Sequence, residues 1–356
     1  MKPLPVALDA MGGDNGPEPN VAGAINAVLD DSVATILVGD QETLLECVKA
    51  HPRGHTALSS SLLNIHHADE VVEMDEKPAQ AVRKKRQSSM RLSCDLVEAG
   101  EACAALSAGN SGAMMAMALR VFGRLDGVLR PCIGAIYPHP AGQGIIVDAG
   151  ANIECTPEQL LQFGILGETF MREIYKLDSP RVGVLANGTE ASKGNELTRA
   201  ALELLSFTDV NLIGHVEGKN LPHGDIEVVV CDGFTGNVAL KVMEGVGREV
   251  VTQLKKGYME GGLLSKIGAL LSVPVFKDIK KKLDYREFGA APFLGLKHPA
   301  YIAHGSSDDY AIRQGLGTAA RGASLGITEQ LERALESQLA KVQQSKLANE
   351  TKDDAA

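Results

Sequence analysis

Tryptophan is absent from this 356-residue chain, and aromatic residues make up only 4% of it. So thin a supply argues against base-stacking platforms for nucleic acid and against the aromatic belt of a membrane-interface protein. Basic residues are outnumbered, 35 Lys and Arg against 45 Asp and Glu, for a net charge of −10. A chain of that sign does not coat nucleic acid, so any anion it binds must be gathered by a local basic site. The six cysteines include no Cys-x-x-Cys pair, which reads as reduced thiols in a cytosolic protein. No apolar run approaches the ~18 residues of a spanning helix, and the first nine residues are too poor in apolar side chains for a signal peptide. A cytoplasmic protein is expected.

Three chemical signatures are missing too. No Gly-x-Gly-x-x-Gly follows a strand, and no Gly-Lys-Ser/Thr marks a nucleotide-phosphate loop. No His-Glu-x-x-His or clustered Cys/His spacing is present, so neither a metal nor a cofactor is assigned.

What the chain has in plenty is glycine, 38 residues, and hydrophobic residues, 44% of the total. The glycines sit at the ends of short apolar runs, where sharp turns and close backbone–ligand approach need a residue without Cβ. Strands are expected at 4–10, 35–39, 102–108, 132–136, 144–149, 181–186, 210–214, 226–231 and 301–304, with helices at 19–29, 79–99, 110–122, 157–174, 196–205 and 235–255. Ile145-Ile146-Val147 and Val228-Val229-Val230 are continuous rather than alternating, as suits strands covered on both faces. This is the βαβ rhythm of an α/β fold: a three-layer, open, mostly parallel sheet with helices on both faces. A single α/β unit is expected over 1–345, with a helical hairpin insertion at about 250–285 and a polar tail over 346–356.

Ligands of open α/β sheets gather at the carboxyl ends of strands, so the loops leaving those ends are the informative ones. Asp9-Ala10-Met11-Gly12-Gly13-Asp14 frees backbone N–H groups for an anion, and Pro17 then opens a helix. Ser107-Ala108-Gly109-Asn110-Ser111-Gly112 puts a hydroxyl and an amide at a helix start, where Asn110 or Ser111 serves equally as a cap. Asp148-Ala149-Gly150-Ala151-Asn152 repeats the pattern, and Asn187 through Gly194 supplies Lys193. Asp232-Gly233-Phe234-Thr235-Gly236-Asn237 and His304-Gly305-Ser306-Ser307-Asp308 complete the set, with Thr235 also readable as a plain N-cap. If these loops converge on one edge of the sheet, they line an oxyanion or phosphate cleft.

Together the loops resemble the phosphate acyltransferase family (acyl-ACP:phosphate acyltransferases). The likeness runs over about residues 4–325 and extends to Pro78–Met90 and Lys193-Gly194-Asn195-Glu196. The family usually has Thr where Ser111 stands, and Asn is common near Ala186. The resemblance implies a fold similar to phosphotransacetylases and the isocitrate/isopropylmalate dehydrogenases, usually as a homodimer. It implies transfer of a fatty acyl group from acyl carrier protein to inorganic phosphate, giving acyl phosphate for phospholipid synthesis. On that footing Lys193 with Gly12, Gly13 and Asp14 would hold phosphate, joined by Asn237 and Ser306. Asn110 and Ser111 would stabilise the oxyanion, and His304 and Asp232 would orient phosphate or manage its proton.

Acyl carrier protein is acidic, so Arg83, Lys84, Lys85 and Arg86 are the expected docking patch; a solvated helix face is the plain alternative. Residues 263–283 place apolar faces beside a lysine cluster and read as core or dimer packing, an acyl-chain cover or a peripheral membrane contact. A membrane-bound glycerol-3-phosphate acyltransferase is a further expected partner. The rival readings are a coenzyme A-dependent phosphotransacetylase of the same fold and a catalytically silent scaffold.

Overall fold

Alternate residues of a strand face opposite ways, so a continuous apolar run needs cover on both sides. Here both sides have it. In the first strand, Val6 and Leu8 join one buried cluster while Ala7 joins another on the opposite face. In the same manner Ile145 and Val147 face one cluster and Ile146 the other, as do Val228 and Val230 against Val229. The computed structural model describes residues 3–353 except 191, 283 and 284; the side chains of 277–285 and 349–353 also lie outside the described residues.

The strands are β1 (Val6–Asp9), β2 (Thr35–Gly39), β3 (Leu63–His67), β4 (Ala104–Ser107), β5 (Cys132–His139), β6 (Gly142–Val147), β7 (Arg181–Leu185), β8 (Asn211–Val216), β9 (Val228–Val230), β10 (Ala290–Leu294) and β11 (Ala300–Ala303). They form one sheet in the order β3-β2-β1-β4-β11-β10-β5-β6-β9-β7-β8. The pairings β10–β11, β10–β5 and β5–β6 are antiparallel and the rest are parallel. This is the expected open, mostly parallel α/β sheet.

Helices cover both faces. On one face α1 (Pro17–Asp31) and α11 (Asp309–Ser324) pack over the β1 half, and α7 (Pro157–Tyr175), α8 (Glu196–Leu205) and α12 (Ile327–Asp353) over the other half. On the opposite face α5 (Ser89–Glu98) and α6 (Ser111–Phe122) share a cluster that continues to Ile146 and Val229. The remaining helices are α2 (Gln41–Ala50), α3 (Gly54–Ser59), α4 (Pro78–Lys84), α9 (Gly233–Glu260) and α10 (Leu263–Lys282).

The structure departs from the sequence reading at several points. Helices α2, α3, α11 and α12 are not expected there, α12 continuing to Asp353 through the expected polar tail. Three further differences bear on the site. The helix expected over 79–99 is two, α4 and α5, because Ser88 caps the second by accepting from the Arg91 N–H at 3.3 Å. Strands β3 and β10 are additions: Leu-Asn-Ile-His-His alternates weakly, and Pro292 inside β10 masks a strand pattern. Third, the strand-end loops do not share one edge. Three successive antiparallel pairings separate β11 from β6, so β6, β9 and β7 run opposite to β1, β4 and β11. The loops after the two sets therefore leave opposite edges of the sheet.

Candidate anion site

On the first edge, Asp9 ends β1 and Ser107 ends β4, and the two are partners in register. Ser107 Oγ donates to Asp9 Oδ2 at 2.7 Å and accepts from the Gly109 N–H at 2.9 Å. Gly12 lies so close that a Cβ there would fall 2.7 Å from Asp9 Oδ2 and 2.9 Å from Gly109 N. Gly13 has a φ of 113°, a region that glycine enters without penalty, and the turn it makes lets the Asp14 N–H donate to Gly305 O at 2.7 Å. From α1, Asn20 Nδ2 holds the same loop through Ala10 O at 3.0 Å and Gly12 O at 2.8 Å. The Gly12–Asp14 loop thus touches both the Ser107–Ser111 turn and the His304–Ser307 turn.

His304 leaves β11 with Ser306 on one side of its ring and Lys241 on the other. Its Nδ1 lies 2.8 Å from Ser306 Oγ, and its Nε2 lies 3.3 Å from Lys241 Nζ. The Ser306 N–H also donates to Nδ1 at 3.2 Å, and the Lys241 ammonium can only donate, so a donor faces each ring nitrogen of the imidazole. Lys241 is itself steadied by Glu244 at 2.9 Å. Desolvation, and then the Lys241 charge, hold the His304 imidazole below its ordinary value, while Glu244 and Asp14 pull the other way.

At the start of α6, Asn110 is the cap: its Oδ1 accepts from the Ala113 N–H at 3.0 Å. Its amide donates to Met74 O at 2.8 Å and Glu76 O at 2.9 Å, so both amide hydrogens are spent bracing the 70–77 segment. In this conformation Asn110 has no donor left for an oxyanion. Ser111 is exposed just beyond it, and the Ser111 and Gly112 N–H groups point out of the first helical turn, where partial positive charge favours an anion.

The opposite edge is arranged differently. Asp148 is buried and accepts from the N–H groups of Ile133, Ala151 and Asn152 at 2.9, 3.1 and 2.6 Å and from Asn152 Nδ2 at 2.9 Å. The backbone donors that the sequence offered to a ligand are thus filled by the loop's own carboxylate. Asp232 caps α9, accepting from the Thr235 N–H at 2.8 Å and from Thr235 Oγ1 at 2.7 Å. Thr235 is therefore the capped residue, not the cap. Asn237 is exposed and lies over Gly150. Lys193 is exposed in the loop after β7, and it makes no hydrogen bond or ion pair to the His304 or Gly12 loops among the described residues.

Of the residues singled out in the sequence, Gly12, Gly13, Asp14, Asn110, Ser111, His304 and Ser306 are brought together. Lys193 and Asp232 are not, and Asn237 stands one turn before Lys241 on α9. The lysine that the fold delivers instead is Lys241, because α9 starts at the second edge and runs back across the sheet face. Eight residues at 1.5 Å each carry it about 12 Å, roughly the length of a four-residue strand. The signal for it lay in the Asp232–Lys241 stretch: Lys241, Glu244 and Arg248 recur at helical spacing on one face of α9.

On the proposed docking segment, Arg83, Lys84 and Arg86 are exposed. Lys85 is turned inward, bonded to Val71 O and paired with Glu76 at 3.1 Å. The lysines of 277–282 and Leu283 lie outside the described side chains.

Residues 4–330 match a family described as "Fatty acid synthesis protein". The "Phosphate acyltransferase" of Trichlorobacter lovleyi is 43% identical over 330 residues, covering 93% of this chain and 94% of that one. The "Phosphate acyltransferase" of Geobacter sulfurreducens is 43% identical over 334 residues, covering 94% of each. Among solved structures, a phosphotransacetylase from Streptococcus pyogenes superposes with a TM-score of 0.59 at 16% identity, covering 91% of this chain and 95% of that one. That likeness establishes the shared fold.

Proposed function

The chain belongs to the phosphate acyltransferase family, with an acyltransferase role in lipid synthesis, and from that premise we propose that it moves a fatty acyl group from acyl carrier protein onto inorganic phosphate at the His304 edge. The observation that carries this reading is the meeting of His304, Ser306 and Lys241 with the Gly12–Asp14 loop and the open donors of Ser111 and Gly112. Hydrogen phosphate attacks the thioester carbonyl through one oxygen, the carbon–sulfur bond breaks, and the phosphate's proton ends on the departing thiol. The products are an acyl phosphate and the free carrier thiol, with no other reactant consumed.

Each residue has a task suited to its chemistry. Lys241 supplies positive charge to the dianion, and neutral His304, oriented by Ser306, relays the proton. The Ser111 hydroxyl and the α6 N–H groups receive the oxyanion, each such donor worth about 3–4 kcal/mol of barrier. Holding phosphate about 3–3.5 Å from the carbonyl supplies much of the remaining acceleration. Because a thiolate leaves readily, no strong general acid is required.

The acidic carrier protein docks at Arg83, Lys84 and Arg86, beside the 70–77 segment that Asn110 braces. The deciding experiment is phosphate-dependent release of carrier thiol from palmitoyl carrier protein, with the acyl phosphate trapped by hydroxylamine. Thiol release that ignores phosphate, or turnover of acyl-coenzyme A in preference to the carrier thioester, would sink the proposal. Reversing Arg83 and Arg86 to Glu is expected to raise KM for the carrier thioester most at low salt, since a Debye length of about 10 Å at 0.1 M screens the contact. A KM that does not respond to salt would reject this docking face.

A further inference from the structure

We propose that Asp9 is a positioning residue: through Ser107 it locks the Gly12–Asp14 loop to the Ser107–Ser111 turn, so that the donors of both converge on one phosphate. The inference rests on the phosphate-transfer reading above. Asp9 and Ser107 stand opposite each other at the ends of neighbouring strands and are 1% and 0% exposed, so neither touches substrate. Their hydrogen bonds run in one direction, from the Gly109 N–H to Ser107 Oγ and from the Ser107 hydroxyl to Asp9 Oδ2. The junction has no spare room. A Cβ on Gly12 would press on Asp9 Oδ2, and one on Gly109 would fall 3.1 Å from Ser107 Oγ and 3.0 Å from Met90 Cε.

This arrangement carries a cost that packing alone does not require. No cation is ion-paired with Asp9 among the described residues; its buried carboxyl faces the Ser107 and Ser89 hydroxyls and the Met11 and Gly12 N–H groups. A buried carboxyl with no counter-cation is costly to desolvate, and an apolar residue at this strand end would remove the penalty. What a smaller apolar residue could not do is accept from Ser107 and so hold the two loops in register. Burial also raises the Asp9 carboxyl above its ordinary value, against the pull of the hydroxyl and N–H groups around it.

The test uses the full chain in the thiol-release assay, with phosphate and carrier thioester varied separately and folding checked by thermal midpoint. Asp9→Ala is expected to raise phosphate KM about tenfold or more with donor KM within about twofold, a split that a general loss of folded protein would not produce. Ser107→Ala moves phosphate KM the same way by a smaller factor. Asp9→Asn keeps an acceptor for Ser107 and is expected to bring phosphate KM back to within about threefold of wild type. Wild-type phosphate KM in folded Asp9→Ala or Ser107→Ala would overturn the inference, as would Asp9→Asn being as impaired as Asp9→Ala. Should Asp9→Ala fail to fold, Ser107→Ala and Asp9→Asn decide the matter between them. Absence of phosphate-dependent release in the wild type sinks the transfer reading and this inference together, whereas normal wild-type turnover with unresponsive variants sinks the inference alone.

Discussion

The same residue types served different ends depending on whether their hydrogen bonds were already taken. Asn110 and Asp148 carry ligand-binding chemistry on paper, but the amide donors of one and the acceptors of the other are spent on neighbouring protein groups. Ser111 and His304 stand in similar sequence settings and keep chemistry in reserve. For His304 that reserve is a neutral imidazole: desolvation first, and Lys241 second, hold it below its ordinary value near 6.5. If the neutral form is the active one, kcat/KM stays level through neutral pH and falls only as pH drops through that lowered value. Lys241→Met removes one depressing charge, so the acid limb is expected to move to higher pH while overall activity drops. A pH–rate profile of the variant whose acid limb coincides with the wild type would contradict the pairing of Lys241 with His304. The strand-end position of His304 was readable in the sequence; its partner, 63 residues away, was not.

Among the elements, α9 has the most unusual burden. Only Gly233 and Gly236, at its start, are buried, because they pack directly on Asn152 and Asp148; a Cβ at Gly236 would lie 2.0 Å from the Asp148 carbonyl oxygen. Beyond them Phe234, Val238, Val242, Val246, Val250 and Leu254 recur every four residues and are exposed, and α10 adds Leu263, Leu264, Leu270 and Leu271. Tyr258 and Phe276 clip the two helices together edge to face at 5.5 Å. So long an apolar stripe is stable in water when another surface covers it, each fully buried Val or Leu contributing about 1.5–3 kcal/mol. We propose that a second copy of the chain is that cover. Val246→Glu with Val250→Glu is then expected to halve the mass measured by light scattering without loss of helical content. A wild-type chain that is already monomeric at micromolar concentration would refute this. The apolar content of 233–282 was plain from the sequence, but its exposure was not, since periodicity alone does not distinguish a core-facing stripe from an outward one.

For the molecule as a whole, acid stability should depend on a histidine far from the site. His139, at the end of β5, is buried, with the Gln143 backbone against its ring. Desolvation lowers its proton affinity, opposed by the Gln143 backbone, Glu227 and Asp225 and reinforced by Arg181. A histidine whose folded value is depressed favours folding above its ordinary value, and that stability is lost as pH falls from about 6.5 towards the folded value. His139→Gln should therefore flatten the fall in urea midpoint across that interval. An equally steep fall in the variant would assign the acid sensitivity to other groups, such as His304.

The sequence by itself determined the fold class, because continuous apolar runs of strand length separated by helical stretches can be covered only as a sheet between two helical layers. It pointed as well to the strand-end turns from which the candidate site is built, since a glycine-rich turn after a buried strand presents its polar groups at the sheet edge. Which edge was decided by tertiary structure alone. The three antiparallel pairings around β10 and β5 reverse the second half of the sheet, and no local pattern records the direction in which a strand will be laid beside a distant one. That reversal separates Lys193 and Asp232 from His304. It also makes α9 cross the sheet face in the one direction that brings Lys241 to the imidazole.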